Sequence, residues 1–212
     1  MNEIRAARRR AQRYRFSDGI GEFVTGSVLA LIGTGFLIAD FLDSDTLRIV
    51  SLGVAFALAL LGFLTVRFLK ERITYPRTGY VRPPKPQLTY PQRFGLNVLF
   101  LLIVMPPIHE YFGPALDVDT ATGRVAFLGW VTVMVAPIAV MAVRFGVYRL
   151  LFVVGTALAT GGAAILLRIP GGEMIGSLFT FTGAAAVITG TCALYGYLRA
   201  HPRSALDGDH EV

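Results

Sequence analysis

Long apolar runs alternate with short polar connectors along most of the chain. Six of these runs approach the roughly 20 residues that a membrane-crossing helix needs. They cover approximately residues 19–39, 47–69, 94–108, 125–143, 150–167 and 174–198. The third run is the shortest and needs residues beyond it, such as Tyr111, to complete a crossing. Because lipid offers no partner for backbone amides, we expect each run to be helical, and the pattern predicts an all-α, polytopic transmembrane helical bundle.

Composition supports a membrane protein and defines the predicted domains. Of the 212 residues, 54% are hydrophobic and only 16% are charged, which excludes an ordinary soluble domain. We expect a basic amphipathic arm over residues 1–18, a six-helix transmembrane domain over residues 19–198 and a short tail over residues 199–212. The six spans group as three hairpins, and a connector over residues 70–93 joins the second span to the third.

The distribution of cations predicts the orientation of the spans. All but three of the 20 Lys and Arg flank the same set of connectors, the exceptions being Arg48, Arg124 and Arg168. Since Lys and Arg are retained on the cytoplasmic side, both termini are expected to be cytoplasmic in a multi-pass protein of the cell inner (plasma) membrane. The arm suits an amphipathic helix lying on an anionic leaflet, and binding of nucleic acid is not expected.

Glycines recur at intervals of seven residues in three of the runs. They are Gly19, Gly26 and Gly33 in the first run, Gly155 and Gly162 in the fifth, and Gly176, Gly183 and Gly190 in the last. Seven residues are nearly two helical turns, so each set lies on one face where another backbone can approach closely. We interpret the three faces as helix–helix seams.

Glu22 lies on the same face of the first run as Gly26 and Gly33, which directs it towards protein rather than lipid. One interpretation is structural, with the carboxylate reaching an arginine of the amino-terminal arm near the cytoplasmic boundary. The other is functional, with Glu22 forming part of a cation or proton path.

The third run contains the most compact group of polar residues. His109 and Glu110 follow Pro106 and Pro107, which end or kink the helix and leave backbone carbonyls without partners. The pair is a candidate for an ion or proton path near the outer boundary. The alternative is a helix end whose polar side chains lie at the lipid headgroups, and neither a metal site nor a cofactor is expected.

The connector over residues 70–93 is rich in Pro, Arg and Tyr. Its prolines favour an extended conformation, while tyrosines near each end suit the membrane interface. We interpret it as a docking strip for lipid headgroups or a protein partner, with a topology-setting linker as the alternative. The candidate docking residues are Arg72, Tyr75, Arg77, Tyr80, Arg82, Lys85, Tyr90 and Arg93.

The string Arg-Ile-Thr-Tyr-Pro-Arg-Thr-Gly-Tyr-Val over residues 72–81 resembles one found in small prokaryotic polytopic membrane proteins that remain uncharacterised. The resemblance covers about ten residues and implies no activity.

Three functions are compatible with these features. The leading hypothesis is a non-enzymatic integral membrane protein whose basic cytoplasmic face binds anionic lipid or a cytosolic or membrane protein partner. The second is a small transporter or channel subunit that uses Glu22, His109 and Glu110. The third is a lipid-modifying enzyme, although the sequence motifs of zinc proteases, serine hydrolases and P-loop proteins are absent.

Overall fold

The computed structural model describes residues 18–74, 120–169 and 171–202, and this part of the chain is all-helical. It contains five α-helices: α1 (Ile20–Phe41), α2 (Asp45–Leu69), α3 (Ala121–Phe145), α4 (Arg149–Leu166) and α5 (Gly171–Ala200). A single π-helical turn, Lys70–Thr74, continues α2. The predicted third span, most of the arm, the connector beyond Thr74 and the tail beyond residue 202 lie outside the described residues.

Local sequence signals determine several of the helix boundaries. The Ser44 and Thr120 hydroxyls cap α2 and α3 by accepting hydrogen bonds from the Leu47 and Gly123 amides, at 3.4 and 3.0 Å. α3 ends where Gly146 adopts a left-handed conformation, with φ 66°, and the Val147 amide donates to the Ala142 carbonyl at 2.8 Å. This turn reverses the chain, so α4 begins at the end of the bundle where α3 finishes.

The described helices pack in the order α2, α1, α5, α4 and α3. The predicted pairing of the first span with the second is observed in α1 and α2, and the pairing of the fifth with the sixth is observed in α4 and α5. A buried core joins α3, α4 and α5. Its members are Phe127, Val131, Val135, Val154, Ala157, Ala164, Met174 and Leu178.

α1 and α5 form the seam that the glycine spacing predicted. They are antiparallel, and Gly19, Gly26 and Gly33 face Gly190, Gly183 and Gly176 in turn. A Cβ atom added at Gly26 would lie 2.7 Å from the Gly183 carbonyl oxygen, closer than any side chain tolerates. The two backbones therefore touch along the full length of the seam.

The predicted glycine face of α4 meets none of the described helices. At Gly155 and Gly162, no atom of the described residues lies within 4 Å of the Cβ position. α4 instead contacts α3 through Gly161, whose Cβ position is 3.4 Å from a Val131 methyl group. Gly161 and Gly162 point about 100° apart on a helix, so the contact with α3 uses a different face of α4 from the one that the spacing predicted.

Four of these helices have the length and apolar composition to cross a membrane: Ile20–Phe41, Thr122–Phe145, Arg149–Leu166 and Glu173–Ala200. The described chain is therefore a multi-span helical membrane protein. α2 is not among the four, so its crossing remains a prediction, although it is 25 residues long and lies against α1.

Candidate functional site at the basic end of the bundle

The starts of α1 and α4 and the ends of α2, α3 and α5 come together at one end of the bundle. The Lys70 ammonium is 3.1 Å from the Asp18 carboxylate, and the Tyr197 hydroxyl donates to the Thr74 backbone carbonyl at 3.4 Å, so α1, α2 and α5 meet at this end. Arg149 at the start of α4 pairs with Glu22, and the turn at Gly146 brings the end of α3 to the same place. We call this region the basic end. Its described cations are Arg67, Lys70, Arg72, Arg144, Arg149 and Arg199.

Glu22 and Arg149 form an ion pair between α1 and α4 at the basic end. The Arg149 Nε atom donates to both carboxylate oxygens of Glu22, at 3.0 and 2.8 Å, and Nη2 donates to Oε1 at 2.8 Å. The Glu22 side chain is 9% exposed and that of Arg149 is 29% exposed. Since α5 lies between α1 and α4 in the packing order, the pair links two helices that are not neighbours.

A second polar cluster lies at the basic end near the start of α1. It consists of Asp18, Lys70, Thr74 and Tyr197. The Asp18 side chain is only 1% exposed. Its Oδ2 atom accepts from the Thr74 hydroxyl at 3.1 Å and faces Lys70, while Oδ1 accepts from the Ile20 amide at 3.2 Å. A buried carboxylate needs a countercharge and hydrogen-bond donors, and this cluster supplies both.

The Asp18 cluster also fixes the first residues of the connector. Thr74 is buried and is held through its hydroxyl by Asp18 and through its carbonyl by Tyr197. The Tyr197 ring stacks on the His201 ring, with the centroids 4.6 Å apart. The chain therefore leaves α2 from a position anchored to both α1 and α5.

Aromatic rings accompany the outermost cations of the basic end. The Arg72 guanidinium lies 5.6 Å from the centroid of the Phe68 ring, and that of Arg199 lies 4.8 Å from the centroid of the Tyr195 ring. Both rings are exposed, as is Tyr148 in the turn between α3 and α4. Exposed aromatic and cationic side chains in the same layer are typical of a protein surface at the level of lipid headgroups.

The opposite end has a different character. α1 and α5 form a shallow apolar groove there, lined by Thr34, Leu37, Ile38, Phe41 and Glu173. Within residues 18–74, 120–169 and 171–202, no three His, Cys, Asp or Glu side chains are grouped so that they could hold a metal ion.

Two of the residues predicted to be functional fall within the described chain. Glu22 faces protein, as its position on the glycine face predicted, and its partner among the described residues is Arg149. The arginines of the arm, which the sequence offered as partners, lie outside the described residues. Arg72 is exposed at the start of the connector. The remaining candidates lie outside the described residues: His109, Glu110, Tyr75, Arg77, Tyr80, Arg82, Lys85, Tyr90 and Arg93.

Sequence reasoning missed the roles of Asp18, Thr74, Tyr197 and Arg149. Arg149 was counted only as one of the cations that set topology. One signal was present, because an acidic residue at the start of the first span, on the side rich in cations, needs a partner. This signal did not identify which cation would be the partner.

Comparison of the chain with protein-family models, with curated proteins and with solved structures finds no match. The class of protein therefore rests on the helices themselves, and they define a multi-span helical membrane protein.

Proposed function

We propose that the chain is a six-span protein of the inner (plasma) membrane whose basic end faces the cytoplasm and binds anionic phospholipid headgroups. The observation that carries the proposal is the placement of Arg72 and Arg199 over exposed aromatic rings at that end.

The positions of two helix ends support a sixth crossing. Thr74 is at the basic end, in contact with Asp18. α3 finishes at the same end and is 25 residues long, so Thr120 at its start lies about 37 Å away, at the opposite end. In a bilayer, residues 75–119 then have to pass from one side of the membrane to the other, as the apolar run over residues 94–108 predicts.

The charge difference between the two ends supports the cytoplasmic placement. The basic end carries most of the described cations, whereas Asp40, Asp43 and Glu173 lie at the opposite end. Cations near span ends are retained on the side where the chain is made. The sequence predicts that the further arginines of the connector lie on the same side.

Anionic lipid is the ligand that this surface chemistry fits. Each exposed cation near an anionic leaflet contributes about 1 kcal/mol of attraction. A guanidinium held over an aromatic ring presents donors that match phosphate oxygens, and the ring itself occupies the interface. A protein partner would bind the same cations, but the exposed rings beside them favour the headgroup layer.

The pairing of Glu22 favours a structural role for this residue over an ion path. Both of its carboxylate oxygens accept hydrogen bonds from Arg149, which neutralises the charge that a transported cation would need. The transporter and the lipid-modifying enzyme remain alternative predictions.

The test is selective binding of lipid by the purified protein. Native mass spectrometry would compare retention of phosphatidylglycerol and phosphatidylcholine by the wild type and by the Arg72→Gln/Arg199→Gln variant. We expect the variant to lose roughly 30-fold in affinity for phosphatidylglycerol, from two cations at about 1 kcal/mol each, and little for phosphatidylcholine.

The matched control removes two charges from the opposite end, in the variant Arg124→Gln/Arg168→Gln. It should retain phosphatidylglycerol like the wild type. Equal losses in both variants, or no loss in the first, would overturn the proposal. If the first variant retained the lipid and instead lost a co-purifying protein, a protein partner would replace lipid as the ligand.

A further inference from the structure

No helix of the described residues packs on the face of α3 that points away from the core. At 100° per residue, this face lies opposite the stripe that packs on α4. We call it the outward face of α3, and it consists of Gly129, Val133, Ala136, Pro137 and Val140. Val133 is 65% exposed, and no described atom lies within 4 Å of the Cβ position of Gly129.

Pro137 leaves a backbone carbonyl on this face that needs a hydrogen-bond donor, which lipid does not supply. Proline has no amide hydrogen, so the Val133 carbonyl loses its usual helical donor. In hydrocarbon, a backbone carbonyl freed by proline needs a partner from neighbouring protein or water. Val133 and Pro137 are both exposed on α3, so the freed group lies on the side where no described helix packs.

The small residues of the outward face also suit another helix. Gly129 and Ala136 are seven residues apart, the spacing at which α1 and α5 make their backbone contact. Small residues at this interval let two membrane helices approach closely.

The connectivity of the chain indicates which segment covers the outward face of α3. Residues 75–119 begin at the basic end after Thr74 and finish at the opposite end before Thr120, at the start of α3. Their apolar run and the residues that complete it extend to Tyr111, and residues 112–119 span at most about 30 Å. Residues 75–93 have a reach of up to about 65 Å, long enough to cross the basic end from α2.

We propose that residues 94–111 pack as a membrane-crossing helix against the outward face of α3, antiparallel to it. The inference rests on the sixth crossing proposed above and on the predicted hairpin of the third span with the fourth, and it adds the face of α3 on which the third span packs. Consecutive elements joined by short connections are usually neighbours, and α3 is the element that follows this segment directly. The helix would shield the Val133 carbonyl from lipid.

Disulfide cross-linking in native membranes tests this location. In a Cys192→Ser background, Val133→Cys would be combined with single cysteines at positions 97–103. Val133 lies about 18 Å from the start of α3, a depth that corresponds to Leu99 when residues are counted back from Tyr111. We expect the strongest intramolecular cross-links at positions within about one turn of Leu99 that lie on the same face of the helix. Positions in this window that lie on the other face should cross-link more weakly.

The control places the partner cysteine on α2, as Leu64→Cys, which is also exposed. Stronger cross-linking of positions 97–103 to Leu64→Cys would overturn the proposal. A cross-linked dimer formed by Val133→Cys alone would show that a second copy covers the face. The absence of any cross-link, with both cysteines reactive to maleimide in detergent, would also overturn it.

A second measurement does not depend on disulfide geometry. A nitroxide attached to Val133→Cys in a bilayer should be less accessible to dissolved oxygen than one attached to Leu64→Cys, because the outward face is covered. Equal accessibility would mean that lipid occupies the face. Labelling of Arg82→Cys and Asp117→Cys from the two sides of the membrane tests the crossing separately, so failure of the packing and failure of the crossing are distinguishable.

Discussion

Glu22 and Arg149 form a charge pair that is neither fully buried nor freely hydrated. Both carboxylate oxygens are bound, with distances from 2.8 to 3.0 Å, and the guanidinium fork matches the carboxylate plane. Burial of two charges has a large desolvation cost, so such a pair contributes more to fixing the position of the helices than to net stability. Here it sets α1 against α4 across the intervening α5.

We predict that Glu22→Gln lowers the free energy of unfolding by about 2 kcal/mol, because it removes the carboxylate charge that faces the Arg149 guanidinium. This is below the range for fully buried pairs, since Arg149 is partly exposed. Glu22→Gln/Arg149→Gln should recover most of the loss. Circular dichroism during denaturation in mixed micelles would measure these differences.

The matched control for this pair is Glu71→Gln, which breaks the exposed contact of Glu71 with Arg67 on the surface of the same end. We expect a change below about 1 kcal/mol, because water screens exposed pairs. A Glu22→Gln variant as stable as the wild type would contradict a structural role for the pair.

At the scale of helices, the seam between α1 and α5 is the closest contact in the described bundle. Its three glycine pairs follow one antiparallel register, and each glycine abuts backbone atoms of the other helix. Van der Waals packing of this kind is a main source of helix association in lipid, where burial of apolar surface brings no gain.

We predict that Gly26→Ala lowers the free energy of unfolding by about 1–3 kcal/mol, because the added methyl group would overlap the Gly183 carbonyl. The control is Gly21→Ala, also in α1, where no atom of the described chain lies within 4 Å of the Cβ position. That change should be neutral or stabilising by up to about 1 kcal/mol. Denaturation in mixed micelles would compare the two variants, and equal effects would show that the seam is not tightly packed.

The sequence predicted this level of organisation well, and the reason is physical. Apolar run length fixes where helices exist, so the predicted run over residues 47–69 and the observed Asp45–Leu69 nearly coincide. The predicted run over residues 125–143 was shorter than Ala121–Phe145, because Thr120 and Gly146 terminate the helix by hydrogen bonding rather than by hydropathy. Glycine spacing predicted the α1 and α5 faces, but in α4 it could not distinguish adjacent Gly161 from Gly162.

The contacts of the basic end were not predictable, because they join residues far apart in the chain. Glu22 and Arg149 are separated by 127 positions, and Asp18 and Thr74 by 56. Hydropathy and charge indicate that an acidic side chain near a span needs a partner. Which of the many arginines pairs with it depends on which helices are neighbours. That packing order is a tertiary property.

At the scale of the whole molecule, the ends of the described helices limit how the chain can thread through a bilayer. Thr74 and Thr120 lie at opposite ends of the bundle, and most of the described cations are at the end of Thr74. The number of crossings and the direction of each helix are thus linked: reversing one crossing would reverse all the others.

We predict that Arg82→Cys and Asp117→Cys, each in a Cys192→Ser background, react with a membrane-impermeant maleimide from opposite sides. Arg82→Cys should be labelled only in inverted vesicles, where the cytoplasmic face is exposed, and Asp117→Cys only in intact cells. Arg199→Cys marks the basic end and should behave like Arg82→Cys. Labelling of positions 82 and 117 from the same side would contradict a crossing within residues 75–119.

The seam between α1 and α5 also constrains the order of assembly. During synthesis, α1 emerges before every other described helix, and its closest partner emerges last. Until α5 is inserted, the glycine face of α1 remains in contact with lipid or with the insertion machinery. A nascent chain that stops before residue 171 therefore lacks the helix that packs on the glycine face of α1. This exposed glycine face is a feature by which membrane quality-control proteases can recognise an incomplete chain.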